Sequence, residues 1–417
     1  MSGRNGDKQV FPPSITGIPG AGGSVLDHAF GAGDPYTLGV EEEYQLLDGK
    51  SFDLVQHIET MLEAVSGHEL ETRINAELMQ SVLEVATPVC RNAGDIMRWL
   101  ATLRGYVSEI ARDHGARLGS AGTHPFSLFE RQRITAKDRY RALIDQLQYV
   151  ARRELIFGMH VHVAVDDAEK AVQVVNGLLP QLAPLLALSA SSPFWRGEPT
   201  GLASSRQMVF SAFPRSGPPP RFRDYADYAD VVGQLERSGC IADYTHIWWD
   251  IRLHPRLGTI EIRICDAVTR VEDAVAIAAY CQALVKQLCE RYEAGAEIPS
   301  FHRILTSENK WLAARYGLEA PVMDLGTGRR NRIPIAKVIR RTLAEIWPHA
   351  RELGSERELE GIGQILSRGS SAERQLRVYN ANRDIVEVAR AIADATEALP
   401  VAAERRTVET ARVSECS

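Results

Sequence analysis

The 417-residue sequence lacks several features that would assign its function at once. It contains no G-x-x-x-x-G-K-[ST] phosphate-binding loop, no G-x-S-x-G nucleophile elbow and no C-x-x-C pair. Positive charge is not in excess either, because 54 acidic residues outnumber 48 basic ones and leave a net charge of −6. Proteins that bind nucleic acid in general are basic. The composition therefore argues against a nucleic-acid partner and against nucleotide binding through a P-loop.

Signals for secretion and for a membrane span are also missing. The N-terminal residues carry no apolar segment of the kind that a secretory signal has. The longest charge-free apolar stretch, residues 171–195, is interrupted by Pro180 and Pro184 and predicts a buried, broken helix. The six cysteines show neither disulfide nor zinc-site spacing. We expect a cytoplasmic protein with reduced cysteines and no membrane partner.

The chain divides into a leader, one large domain and a tail. Residues 1–34 are rich in glycine, proline, serine and aspartate without any period, which is typical of a flexible leader. Residues 35–400 form a single predicted catalytic domain, and residues 401–417 a flexible tail. Alternating polarity predicts strands at 37–47, 155–165 and 258–265. Helical spacing predicts helices at 93–113, 271–293, 335–349, 356–367 and 372–397. Because strands and helices do not alternate regularly, we predict an α+β fold with an antiparallel sheet.

The three predicted strands share one design, with an aliphatic face and a face of charged or imidazole groups. The polar faces carry Glu41 and Glu43, then His160 and His162, then Glu261, Arg263 and Cys265. Glu84 lies inside a further apolar, strand-like run, and Glu77 stands just upstream of it. Carboxylates brought together in this way repel one another. A divalent cation is the simplest agent that would stabilise them, and oxygen ligands with an occasional imidazole suit Mg²⁺ or Mn²⁺.

Each pair also has a simpler explanation when it is taken alone. Glu41 and Glu43 are equally typical of a solvated strand end, and Glu261 with Arg263 of a cross-strand ion pair. The H-x-H pattern of His160 and His162 occurs in core hydrogen bonds and in zinc or iron sites, so a metal-dependent hydrolase stays an alternative. A catalytically idle binding protein of the same fold is a third reading, although no metal-binding acid is lost.

Six segments, taken in order, resemble the carboxylate–amine ligases of the glutamate–cysteine ligase type 2 family, which is related in fold to glutamine synthetase. They are residues 39–48, 81–88, 158–163, 213–217, 259–263 and 307–318. The resemblance covers about residues 36–395. It implies a curved antiparallel β-sheet with the active site on its concave face and helices packed on the other face.

The resemblance also implies a set of site residues and two cofactors, ATP and Mg²⁺, with Mn²⁺ as an alternative metal. The implied metal ligands are Glu41, Glu43, Glu77, Glu84, His160 and Glu261. Arg263, Glu41 and Glu261 are the implied catalytic residues, with Arg263 next to the transferred phosphate. Arg263 is also a candidate for holding the nucleotide. Arg206 and Arg215 lie on an irregular segment and are further candidates for the nucleotide or a substrate carboxylate.

The implied reaction is amide formation through an acyl phosphate. ATP phosphorylates a carboxylate, and an amine then displaces the phosphate. Glutamate and L-cysteine are one substrate pair, and a different amino acid and amine stay open. The partners are therefore small molecules, and a homodimer is compatible with the family. We expect Glu41→Gln to abolish turnover at little cost to folding, because the change removes one acid from a repelling cluster.

Overall fold

The computed structural model describes residues 26–299, 301–325 and 331–399. Residues 1–25 of the predicted leader and the whole predicted tail lie outside the described residues, so the division into leader, domain and tail stays a prediction. The strands are β1 (Leu38–Asp48), β2 (Ile74–Ala76), β3 (Val82–Ala86), β4 (Ala116–Gly119), β5 (Met159–Ala164), β6 (Phe194–Trp195), β7 (Glu198–Pro199), β8 (Ser216–Gly217), β9 (Trp248–Trp249), β10 (Ile251–His254), β11 (Thr259–Ile262), β12 (Pro321–Met323) and β13 (Arg332–Pro334).

Among the described residues, the α-helices contribute more residues than the strands, and seven of the fifteen follow β11. They are α1 (Ile58–Val65), α2 (Ala93–Asp113), α3 (Asp138–Leu147), α4 (Tyr149–Arg152), α5 (Ala168–Leu178), α6 (Leu182–Ser189), α7 (Arg206–Phe210), α8 (Tyr225–Arg237), α9 (Val271–Glu293), α10 (Arg303–Tyr316), α11 (Ile335–Glu352), α12 (Glu356–Leu359), α13 (Gly361–Arg368), α14 (Ser371–Asn382) and α15 (Ile385–Glu397).

Seven strands form the main sheet, in the order β10–β11–β5–β1–β3–β2, with β4 paired to the last residues of β1. All of these pairings are antiparallel. Helices α2, α5 and α9 pack against one face, where aliphatic side chains such as Val40, Val161 and Ile260 are buried in the largest hydrophobic cluster. The opposite face carries the charged side chains. The predicted α+β fold with an antiparallel sheet is confirmed.

Helix α2 has the ends that its sequence pattern predicts. The Asn92 side chain accepts a hydrogen bond from the Asp95 N–H at 3.0 Å, which satisfies one of the amides that a helix start leaves free. Ile96, Leu100 and Leu103 of its apolar stripe are fully buried. The helix is therefore held by its cap and by packing against the sheet.

A buried ion pair connects α2 to the central strand. Glu42, between the two acids that face the other way, contacts Arg104, and both side chains are 0% exposed. The Tyr44 hydroxyl donates to Glu42, and Arg104 also donates to the carbonyls of Val268 and Thr269. The low dielectric of the interior makes such a pair stable only when these remaining hydrogen bonds are satisfied.

The structure corrects some local expectations. Strand β11 ends at Ile262, so Cys265, predicted on the polar face, is instead 0% exposed in the hydrophobic core. The predicted helix 372–397 is broken between α14 and α15 at Arg383, whose φ of 54° is left-handed and ends α14. The predicted helix 356–367 is likewise two helices, α12 and α13.

The apolar stretch after β5 forms a core helix pair. The run Ala168–Ser189 is long and apolar enough to cross a membrane by length and composition, but 78% of its most apolar window is buried inside the structure. It is the one such run among residues 26–299, 301–325 and 331–399. A short 3₁₀ helix at Leu179–Gln181 separates α5 from α6 and contains Pro180, so the predicted broken, buried helix is confirmed.

Candidate active site

A cavity of about 1250 Å³ lies on the charged face of the main sheet. Most of the predicted site residues line it, namely Glu41, Glu43, Glu77, Glu84, His160, Arg206, Glu261 and Arg263. His162 and Arg252 line it as well. Strands far apart in sequence therefore deliver one continuous polar surface.

Strand register explains why these side chains meet. Residues directly opposite in an antiparallel pair share one face, with Cβ atoms about 4.5–5.5 Å apart. The opposed pairs are Glu41 with His160, Glu43 with Glu84, and His162 with Glu261. The alternation of polarity within each strand then places all six groups on the cavity side.

Three of these groups are close enough to hold one metal ion. Glu41 Oε2 lies 2.9 Å from His160 Nδ1, and Glu261 Oε1 lies 4.0 Å from the same nitrogen. One ligand atom from each of the three lies within 4.8 Å of the others. Among the residues that the structure describes, this is the one group with that spacing. Two carboxylates and one imidazole are a donor set that fits Mg²⁺ or Mn²⁺.

Glu41 does not carry the repulsion that its sequence context suggests. Burial would raise the pKa of its carboxyl, but hydrogen bonds with His160 and His162 outweigh burial and hold the pKa well below its usual value. Burial and the nearby Arg263 lower the pKa of His160 to about 4, so its imidazole is neutral at pH 7. The expectation that Glu41→Gln relieves strain is therefore wrong, because the change would remove a carboxylate charge that His160 and His162 stabilise.

The repulsion lies one pair further along the sheet. Burial, with the charge of Glu77, raises the pKa of Glu43 to about 7. Burial and the neighbouring carboxylates raise the pKa of Glu84 well above its usual value, and burial raises that of Glu77. Glu43 Oε2 accepts one hydrogen bond, from the Gly158 N–H at 2.6 Å. Positive charge bound at this acidic end of the cavity would therefore stabilise the fold.

Two arginines hold Glu261 in place. Arg252 Nε donates to Glu261 Oε2 at 2.9 Å, and Arg263 contacts the other oxygen. Burial would raise the pKa of Glu261, but these two guanidinium groups hold it well below its usual value. Arg252 is also bound by two backbone carbonyls, those of Thr245 and Ile247. Among the residues that the structure describes, no carbonyl accepts from the Arg263 guanidinium and its buried Nε is unpaired, so it keeps a donor for a ligand in the cavity.

The two other candidate arginines occupy different places. Arg206 lines the cavity and donates to the Ile264 carbonyl at 3.3 Å. A Cβ atom on Gly158 would lie 2.5 Å from its Nη2, so any larger residue at this position would displace this guanidinium. Arg215 does not line the cavity. It stacks over the Trp248 ring, 5.3 Å from the centroid.

The stretch 307–318 lies outside the cavity lining. Lys310 forms an ion pair with the buried Asp250 at 2.7 Å. Arg315 donates to the Gly201 carbonyl. Both side chains therefore connect α10 to neighbouring segments rather than facing the cavity.

Sequence reasoning missed Glu154, which lines the acidic end of the cavity. Its carboxylate makes no hydrogen bond or ion pair with any residue that the structure describes. Burial, together with Glu43 and Glu77, raises its pKa well above the usual value. The only sequence signal is a charged residue directly before the apolar run Leu155–Met159, and nothing local distinguishes it from a surface residue.

The sequence of this chain is similar to those of a known protein family. The model of "Glutamate-cysteine ligase family 2" matches residues 37–395. The protein named "Putative glutamate--cysteine ligase 2-1" from Rubrobacter xylanophilus is 44% identical over 353 residues, 85% of this chain and 93% of its own. The protein named "Putative glutamate--cysteine ligase 2" from Sorangium cellulosum is 43% identical over 345 residues, 82% of this chain and 92% of its own.

Two solved structures share the fold at low sequence identity. The glutamate–cysteine ligase from Francisella tularensis in complex with AMP has a TM-score of 0.61 at 12% identity, covering 89% of this chain and 91% of that one. The bifunctional glutathione synthetase from Pasteurella multocida has a TM-score of 0.62 at 16% identity, covering 87% of this chain and 52% of that one.

Proposed function

The chain belongs to glutamate–cysteine ligase family 2, and from this premise we propose that it is an ATP-dependent ligase that joins a carboxylate to an amine through an acyl phosphate. The observation that carries the proposal is the group Glu41, His160 and Glu261 with Arg263 beside it. The names of its relatives support a ligase, and the AMP-bound structure of the same fold supports nucleotide binding.

The chain's own residues supply charge and position. Glu41, His160 and Glu261 would hold one divalent cation, and Glu43, Glu77 and Glu84 could share another. When bound, such cations neutralise phosphate oxygens and draw electron density from the phosphorus. Arg263 then has a donor for the phosphoryl group in transfer, which carries negative charge on its equatorial oxygens.

The proposed reaction has two steps. A carboxylate oxygen attacks the γ-phosphorus, and the bond from that phosphorus to ADP breaks. The amine nitrogen then attacks the acyl carbon, loses a proton, and inorganic phosphate leaves. The depth of the cavity matters because water would otherwise hydrolyse the acyl phosphate. We propose that Glu154 binds the ammonium group of the amine. Its carboxyl group lies at the acidic end of the cavity without a partner among the described residues, and the ammonium charge would favour its ionised form over the protonated form that burial favours.

Glutamate and L-cysteine are the substrate pair that the family names support, and we propose them as the first pair to test. A cytoplasmic location agrees with the free thiols of the described cysteines and with the use of ATP. A metal-dependent hydrolase is less well supported. The compact metal-binding group contains two carboxylates and one imidazole, whereas a hydrolase of the alternative kind would use both His160 and His162 as ligands.

The test is amine-dependent ADP release by the purified protein with Mg²⁺, ATP, L-glutamate and a panel of amines that includes L-cysteine. Hydroxylamine in place of the amine would capture the acyl phosphate as a hydroxamate. Arg263→Gln should lower turnover about 10²–10³-fold, as expected when one donor to the transition state is lost. Arg357→Gln, on the exposed side of α12, is the matched control and should leave turnover unchanged.

The ligase function would be contradicted if no pair of a carboxylate and an amine increased ADP release and no hydroxamate formed. Hydrolysis of amides without ATP, together with zinc or iron in the purified protein, would favour the hydrolase instead.

A further inference from the structure

The cavity extends beyond the part of the chain that the family model matches. That match begins at residue 37. Five earlier residues nevertheless line the cavity, namely Leu26, Asp27, His28, Ala29 and Ala32. This N-terminal strap, residues 26–32, therefore contributes a wall outside the residues that the family model matches.

Backbone hydrogen bonds hold the N-terminal strap on the domain. The Ala29 N–H donates to the Pro255 carbonyl at 2.9 Å, and the Gly31 N–H to the Val165 carbonyl at 3.3 Å. Between these bonds, Phe30 is 8% exposed and packs in the hydrophobic core. The strap is thus attached on both sides of an apolar anchor.

Two glycines permit this close approach. Gly31 has a φ of 85°, and a Cβ atom there would lie 2.6 Å from the Asp166 carbonyl oxygen. Gly258, with a φ of 63°, leaves room for the Ala29 carbonyl, which a Cβ atom would approach to 2.4 Å. Any larger residue at these positions would displace the strap.

The end of the cavity beside the strap differs chemically from the acidic end. It is lined by the rings of His28, Tyr244 and His254 and by the cation of Arg256, with the carboxyl groups of Glu236 and Asp243 close to that cation. The His28 ring stands edge-on to Tyr225 at 4.9 Å, and the Tyr225 hydroxyl donates to the Leu26 carbonyl. Ring faces suit a purine base, whereas the acidic end suits an ammonium group.

We propose that the N-terminal strap binds the base and ribose of ATP. The ring of His28 would stack on the purine, and the carboxylate of Asp27 would accept hydrogen bonds from the ribose hydroxyls. Both side chains are exposed at the cavity. The triphosphate would then extend past His162 toward Glu41, His160 and Arg263. The inference rests on the proposed use of ATP and adds the residues that recognise the nucleoside.

The experiment measures binding of Mg·ADP to the full-length protein by isothermal titration calorimetry, which requires no turnover. His28→Ala should raise the dissociation constant roughly tenfold, the loss expected when one stacking ring is removed. Gly31→Ala should raise it at least as much, because it displaces the strap. Gly33→Ala is the matched control, since a Cβ atom there meets nothing within 4 Å, and it should bind like the unmodified protein.

The outcomes separate this inference from the proposed function. The inference would be overturned if His28→Ala bound Mg·ADP as tightly as the unmodified protein, or changed only the KM of the amino-acid substrates. Absence of Mg·ADP binding by the unmodified protein would also overturn it. Weakened Mg·ADP binding by both variants supports the inference. If no amide product is then found with any amine, that result contradicts the ligase function alone. His28 is exposed, so its variant tests the inference even if Gly31→Ala folds poorly.

Discussion

Glu43→Gln should stabilise the metal-free protein at alkaline pH, which is unusual for a change in an active site. The carboxyl of Glu43 has a pKa of about 7 instead of 4.5, mainly because of burial. The folded protein therefore binds a proton more tightly at this position than the unfolded chain does. Stability must fall as pH rises from about 4.5 to about 7 and stay low above that range. Glutamine resembles the protonated acid and avoids this loss.

The size of the effect follows from the pKa. Since each pKa unit is worth about 1.4 kcal/mol, the rise of Glu43 to about 7 amounts to roughly 3 kcal/mol at pH 8. Glutamine also keeps an oxygen that can accept the Gly158 N–H. We expect Glu43→Gln to raise the free energy of unfolding by about 2–3 kcal/mol at pH 8 and by almost nothing at pH 4.5.

Urea unfolding at both pH values, in a chelator and in excess Mg²⁺, measures this effect. Mg²⁺ should stabilise the unmodified protein by mass action and remove the advantage of the variant, which has lost a ligand. Glu63→Gln, on the exposed side of α1, is the control and should change stability little under all conditions. A variant less stable than the unmodified protein at pH 8 in chelator would refute the reasoning, because Glu43 would then be held by favourable contacts.

Three further changes test other parts of the structure. Glu154→Gln should raise the KM of the amine about tenfold or more, because an ion pair to the ammonium group is lost, while hydroxamate formation with hydroxylamine, which is largely uncharged at pH 7, stays unchanged; equal losses with both nucleophiles would contradict a role in binding ammonium. Arg104→Met should lower the free energy of unfolding by about 3–5 kcal/mol in denaturant titrations, since it leaves Glu42 buried and unpaired; a loss below 1 kcal/mol would show that the pair is not needed. Glu41→Gln should lower the melting temperature in chelator, with the opposite sign to Glu43→Gln, because the carboxylate charge that His160 and His162 stabilise is lost.

The fold and the site differ in how far the sequence predicts them. Alternation predicts the cavity-facing sides of β1 and β5, and the Asn92 cap predicts the start of α2, because both signals are local. Which carboxyl groups have raised or lowered pKa values depends on contacts between distant segments. Glu41 and Glu43 are equivalent in the sequence, and only the cross-strand partner, His160 for one and Glu84 for the other, gives their carboxyl groups opposite pKa shifts.

Residues that reach the cavity from outside the sheet were beyond sequence reasoning for a similar reason. Glu154 precedes β5 and His28 precedes the matched family region, so neither belongs to an alternating pattern. The break at Arg383 also lacks a proline or glycine that would mark it. Such positions depend on how distant segments pack, which a single sequence does not encode in any short window.

The alternation of Glu41, Glu42 and Glu43 in β1 also has a consequence for folding. A slip of one residue in the pairing of β1 would turn Glu42 toward the cavity and drive Glu41 and Glu43 into the apolar layer under α2 and α9. It would also leave the guanidinium of Arg104 buried without its carboxylate. Misregistered intermediates are therefore heavily penalised. The three consecutive acids of β1 therefore also favour the native pairing register of the sheet over a register shifted by one residue.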